Sequence, residues 1–159
     1  MGQGKQRTKA ELIEAIGEEF RINQNRTQLF DDVAGEVLGL NPTDMRAMDI
    51  IQRLGRPTAG AVAAEAGLSS GGLTAVLDRL EGAGYIRRIR DGDDRRRVSV
   101  ELTPEAERRV WRIWGPLKES WDRQAEGFSV AELRFLLGFL RSGNELLSGQ
   151  VERIRAERR

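Results

Sequence analysis

Apolar residues recur at intervals of three and four along most of this chain, and the pattern changes to alternation only once, after Tyr85. Leu12, Ile13, Ile16, Phe20, Leu29, Phe30, Val33 and Val37 predict a first helix with one long apolar stripe. Thr8-Lys9-Ala10-Glu11 ahead of it fits a capping box, in which hydroxyl and carboxylate each satisfy an orphan backbone amide. Gly39 and Asn41-Pro42 should stop the helix. A helix of about 30 residues is long for a small domain and needs a packing partner beyond its own lobe. Three shorter helices should follow. Thr43 is expected to cap the first, with Met45, Met48, Ile51 and Leu54 as its buried stripe and Gly55 at its end. Thr58 should cap an Ala-rich second helix that Gly67 closes in the left-handed conformation. Ser69 or Ser70 should cap the third, whose Leu73, Val76, Leu77 and Leu80 share one face.

The alternating stretch predicts a β-hairpin. Residues 85–90 are rich in strand formers, Asp91-Gly92-Asp93-Asp94 is a turn signal, and Val98 to Leu102 alternates apolar with polar. Thr103-Pro104-Glu105 then opens another helix, with Pro at the first position and acid in the first turn. Gly115-Pro116 is expected to kink or break it. Ser129-Val130-Ala131-Glu132 is a second capping box, and the helix it starts carries Leu133, Leu136, Leu137, Leu140, Leu146, Leu147, Val151 and Ile154. The expected fold is therefore mostly α with one β-hairpin wing. Residues 40–103 form a winged helix-turn-helix lobe, flanked by residues 1–39 and 104–159 as a helical dimerisation lobe.

Composition narrows the function. The 159 residues contain no Cys and no His, which excludes disulfides, Cys/His zinc sites, cysteine nucleophiles and imidazole acid–base chemistry. With no Gly-Lys-Ser/Thr phosphate loop either, no enzyme, metal or cofactor is expected. The chain lacks a long apolar run and its N-terminus is polar, so a cytoplasmic protein with no membrane contact is expected. A net charge of +1 decides nothing, but its distribution does. Tyr85 to Arg97 holds six arginines against three aspartates. Arginine suits bidentate phosphate contact and insertion into a narrow minor groove, although a charge run alone is more often a solvated surface. Here the run lies on the hairpin after a helix-turn-helix. Candidate DNA-binding residues are Ser69, Ser70, Gly71, Thr74 and Arg79 on the third short helix, with Arg88, Arg90, Asp94, Arg95, Arg96 and Arg97 on the wing. The small Ser-Ser-Gly-Gly start lets backbone N–H groups approach a phosphate, and Asp94 could orient Arg96.

Three blocks carry a family resemblance: Leu77-Asp78-Arg79-Leu80-Glu81, Gly84-Tyr85-Ile86, and Asp94-Arg95-Arg96-Arg97-Val98 leading to Leu102-Thr103-Pro104. In this order, within Leu40 to Ala106, they resemble the MarR (multiple antibiotic resistance regulator) family of bacterial transcription factors. The resemblance implies a homodimer of interlocking terminal helices that presents two winged helices to a pseudo-palindromic operator. It also implies an Asp-x-Arg wing tip, matched by Asp94 and Arg96, with Arg96 in the minor groove. Many members release DNA when a small phenolic or anionic ligand binds between the lobes; the peroxide- and zinc-sensing kinds need the missing Cys or His. For such an effector Arg26, Phe30, Arg46, Trp111 and Trp114 are candidates, although dimer core is the preferred reading of both Trp residues. The expected function is a sequence-specific dimeric regulator, a repressor released by an aromatic or anionic ligand. The alternative is a winged helix for protein contact or non-specific DNA architecture, without an effector.

Overall fold

A computed structural model describes residues 7–90 and 98–157, without the side chain of Arg90. They form α1 (Lys9–Leu38), α2 (Pro42–Leu54), α3 (Ala59–Ala66), α4 (Ser70–Gly82), β1 (Ile86–Arg90), β2 (Val98–Leu102), α5 (Pro104–Ala125) and α6 (Val130–Glu157). Two compact units divide the chain, one up to Trp111 and one from Arg112 onwards.

The first unit is built from its caps inward. The Thr8 hydroxyl accepts the Glu11 N–H while the Glu11 carboxylate accepts the Thr8 N–H, which is the expected capping box. At its other end α1 stops at Gly39, whose φ of 68° is the left-handed conformation that glycine adopts without a Cβ clash. The cap of α2 differs from expectation. Asn41, not Thr43, occupies the N-cap and accepts the Asp44 N–H at 2.9 Å, because Pro42 takes the first helical position and shifts the start forward. The stripe of α2 is displaced as well: Ala47, Met48, Ile50 and Ile51 are buried, Met45 is half-buried and Leu54 is exposed. Thr58 caps α3, Gly67 ends it at φ 67°, and Ser69 caps α4 by accepting the Gly72 N–H.

β1 and β2 pair antiparallel, with Ile86 opposite Leu102 and Arg90 opposite Val98. The segment before α3 joins their edge, since the Val100 N–H donates to the Pro57 carbonyl at 2.9 Å. Ile51, Val62, Leu80 and Val100 close the core, one each from α2, α3, α4 and β2. Full burial of each such side chain stabilises by about 1.5–3 kcal/mol. All four stripe residues of α4 are buried. Ala106 and Val110 bring the start of α5 into the same core. Thr103 fixes that start, donating from its hydroxyl to the Gly84 carbonyl and accepting the Ala106 N–H.

In the second unit α5 continues through Pro116 without a break, contrary to one of the two expected outcomes. Proline leaves the Arg112 carbonyl without its usual N–H partner, but Gly115 has no Cβ to add a clash with the ring. The Ser129–Glu132 capping box forms at the start of α6. No residue of α6 is buried.

Candidate nucleic-acid interface

Burial of Leu73, Val76, Leu77 and Leu80 turns the opposite side of α4 to solvent, and with it Ser70, Gly71, Thr74, Ala75, Asp78 and Arg79. The most outward line carries little bulk, as Gly71 and Ala75 lead it. Ser69 uses its oxygen for the cap, and the Thr74 hydroxyl donates to the Ser70 carbonyl at 2.9 Å. Oxygen lone pairs on Thr74 and the hydroxyl proton of Ser69 remain for a ligand. With no bulky side chain over the first turn, the unpaired N–H groups of the helix start stay accessible.

Two of the expected DNA-contacting arginines are held by acids of the protein itself. Arg79 lies along the α2 edge of α4 and grips the buried Asp44, donating from Nε to Oδ2 at 3.1 Å and from a terminal nitrogen to Oδ1 at 2.6 Å. The hydrogen bond to Asp44 raises the Arg79 guanidinium above its ordinary value. Arg88 lies on β1 against the opposite edge. It donates to Asp78 at 2.6 Å and to Glu81 at 2.5 Å, and its backbone N–H donates to Glu81 as well. Partial burial pulls the Arg88 guanidinium down, yet its bonds and charges with Asp78 and Glu81 leave it raised. Arg88 thereby neutralises two carboxylates that would otherwise face an incoming polyanion. Its neighbour Arg87 pairs with Glu101, which also attracts Arg56 at 3.7 Å. Asp44 and Glu81 were not candidates by sequence. Asp44 does stand three residues after a cap-forming Asn41, but nothing local shows its bond to Arg79. The expected contacts of Asp94, Arg95, Arg96 and Arg97 lie outside the described residues, and so does the side chain of Arg90.

The five candidate effector residues differ in exposure. Arg26, Arg46 and Trp111 are exposed, while Phe30 and Trp114 are half-buried. A shallow hollow of about 270 Å³ lies elsewhere, lined by Gln52, Gly55, Arg87, Glu101, Leu102, Pro104 and Glu107. Among the described residues no helix is long and apolar enough to cross a membrane.

Residues 38–97 match the MarR family, a span that runs from the end of α1 through the whole helix-turn-helix and into the wing. The uncharacterized HTH-type transcriptional regulator YcgE of Bacillus subtilis (strain 168) is 34% identical over 148 residues, covering 93% of this chain and 96% of that protein. Two solved structures share the fold. A point mutant of S. aureus MepR, bound to an oligodeoxyribonucleotide, is 18% identical with a TM-score of 0.57, over 83% of this chain and 97% of that one. NadR in complex with 4-hydroxyphenylacetate is 21% identical with a TM-score of 0.57, over 89% and 96%. Full-length similarity to a helix-turn-helix regulator, a matching winged lobe and an arginine-rich hairpin beside a small-residue helix agree: the chain belongs to the MarR family of transcriptional regulators.

Proposed function

We propose that the protein is a homodimeric, sequence-specific repressor whose two copies of α4 enter successive major grooves of a pseudo-palindromic operator. The observation that carries this reading is the start of α4. Ser69 caps it, no bulky side chain covers it, and it stands beside a hairpin whose loop sequence is rich in arginine. Ser69, Ser70, Gly71 and Thr74 contact phosphate or base edges. Ser and Thr discriminate weakly, so groove width at the wing, read by Arg96 with Asp94 orienting it, supplies much of the specificity. Arg90, Arg95 and Arg97 add phosphate contacts. Half-sites stand about 10 base pairs apart, because a twofold dimer must put both helices on one face of the duplex.

Residues 1–39 and 104–159 form the dimer lobe in this reading. Support comes from their exposed apolar side chains: Leu12, Ile13, Ile16 and Phe20 on α1, and Leu133, Leu136, Leu137 and Leu140 on α6. An aromatic or anionic effector binds near Arg26, Phe30, Arg46, Trp111 and Trp114 and favours a dimer whose recognition helices are wrongly spaced. NadR, whose fold this chain shares, binds the phenolic anion 4-hydroxyphenylacetate. Selection of bound sites from random duplex DNA, followed by release assays with aromatic carboxylates, tests the whole reading. Enrichment of a twofold-symmetric sequence supports it; steep salt dependence without sequence preference sinks it.

A further inference from the structure

Asp44 is the one buried charged residue among the described residues, with 4% of its surface exposed. A carboxylate at that depth loses most of its hydration and persists only where hydrogen bonds replace it. Its partners come from two elements. The Asn41 side-chain amide donates to Oδ2 at 2.8 Å, and Arg79 donates to both oxygens. The network is asymmetric in exposure: the Asp44 side chain is 5% exposed and the Arg79 side chain 49%. Arg79 therefore reaches inward with one edge of its guanidinium and keeps the other edge in solvent. A guanidinium has five N–H donors in a rigid plane, and anchoring the Nε edge fixes where the remaining donors point. That plane lies along the edge of α4, the helix whose outward face carries Ser70 and Thr74.

We infer that Asp44 is a positioning residue for DNA binding: it holds Arg79 so that the free guanidinium edge meets a backbone phosphate while α4 sits in the groove. The inference rests on the DNA-binding reading above and adds the residue that orients one of its contacts. The pairing is specific to this geometry. A lysine at position 79 could keep the charge but not the two-point grip. An asparagine at position 44 could keep the shape but not the charge that holds Arg79 in place.

The test compares affinity for the selected operator with affinity for unrelated duplex DNA across a salt series. Asp44→Asn removes a negative charge, so a pure charge effect would strengthen both affinities. Positioning instead predicts that operator affinity falls at least tenfold while non-specific affinity holds or rises. Arg79→Lys should reduce the same ratio with the fold intact, and it carries the test if Asp44→Asn does not fold. Arg79→Ala should also make the salt dependence shallower by about one counterion per subunit, as loss of a phosphate contact requires. Asp44→Asn combined with Arg79→Ala should be no weaker than Arg79→Ala alone. An unchanged operator-to-non-specific ratio in Arg79→Lys, or an unchanged salt slope in Arg79→Ala, overturns the inference. If the unaltered protein selects no sequence at all, the DNA-binding reading fails and takes this one with it.

Discussion

At the residue scale, two positions near the α1–α2 contact work against the usual expectation for their type. Asp31 is a half-buried carboxyl pushed up by desolvation, then by the nearby charges of Asp49 and Asp32. A carboxyl raised in the folded state binds its proton more tightly there than in the unfolded chain. Its ionisation therefore costs stability as pH rises through the ordinary carboxylate range to the raised value, and the cost is complete above it. Asp31→Asn should melt higher than the unaltered protein at pH 7, with the gap closing below about pH 4, where both chains carry a neutral group. Thermal melts at both values check this; equal gaps would remove the electrostatic cause. Gly35 sits inside α1, where alanine normally stabilises by about 0.5–1 kcal/mol. Here a Cβ would lie 2.9 Å from the backbone oxygen of Leu40, which cannot rotate away. Overpacking wins in this position, so Gly35→Ala should lose about 1–3 kcal/mol in denaturant titration. Neither residue's behaviour is visible in the sequence, because each depends on groups beyond the end of α1: Asp49 on α2 for Asp31, and the Leu40 carbonyl before α2 for Gly35.

Elements were legible wherever their cause is local. Thr8 with Glu11, Thr58, Gly67, and Ser129 with Glu132 act within one turn, and the structure places each as expected. The misplaced cap of α2 had an equally local signal, since Asn41-Pro42 outranks Thr43 once proline is put at the first helical position. What spacing could not reveal is how elements are tied together. Arg79 meets Asp44 across 35 positions, and the wing strand is tied to α4 by Arg88 through Asp78 and Glu81. Read from sequence, Arg88 falls among the DNA-contacting arginines, yet it spends donors on this brace. Its removal should loosen the wing against α4 more than it removes a phosphate contact. Arg88→Ala should therefore lower operator affinity with little change in salt slope. Asp78→Ala should couple to it in a double-mutant cycle, the pair losing clearly less than the two single losses added together. Independent losses with a shallower slope would return Arg88 to the phosphate-binding set.

At the scale of the whole molecule, the two compact units differ in how much they bury. The core occupies α2, α3, α4, the hairpin and the start of α5, while α6 buries nothing and α1 buries only Ala34 and Gly35. The apolar periodicity of α1 and α6 predicts helices correctly in both cases. Periodicity also implies something for those stripes to pack on, and Leu12, Ile13, Ile16 and Phe20 of α1 and Leu133, Leu136, Leu137 and Leu140 of α6 are exposed. The dimer proposal makes a sharp distinction at Leu136, which is 43% exposed in the protomer. If α6 faced only water, Leu136→Glu would exchange one exposed side chain for another and change stability within about 0.5 kcal/mol. If α6 packs on a second copy, the same change forces two unpaired carboxylates into an apolar interface of obligate size, about 2,000 Å² or more. The variant should then sediment as monomer at micromolar concentration and lose the tight binding to a two-half-site operator that both lobes share. The unaltered protein should show a melting temperature that rises with its concentration, as mass action requires when folding and association are linked. A concentration-independent melt, with Leu136→Glu still binding its operator at full strength, would leave the two terminal helices without the role their sequence demands.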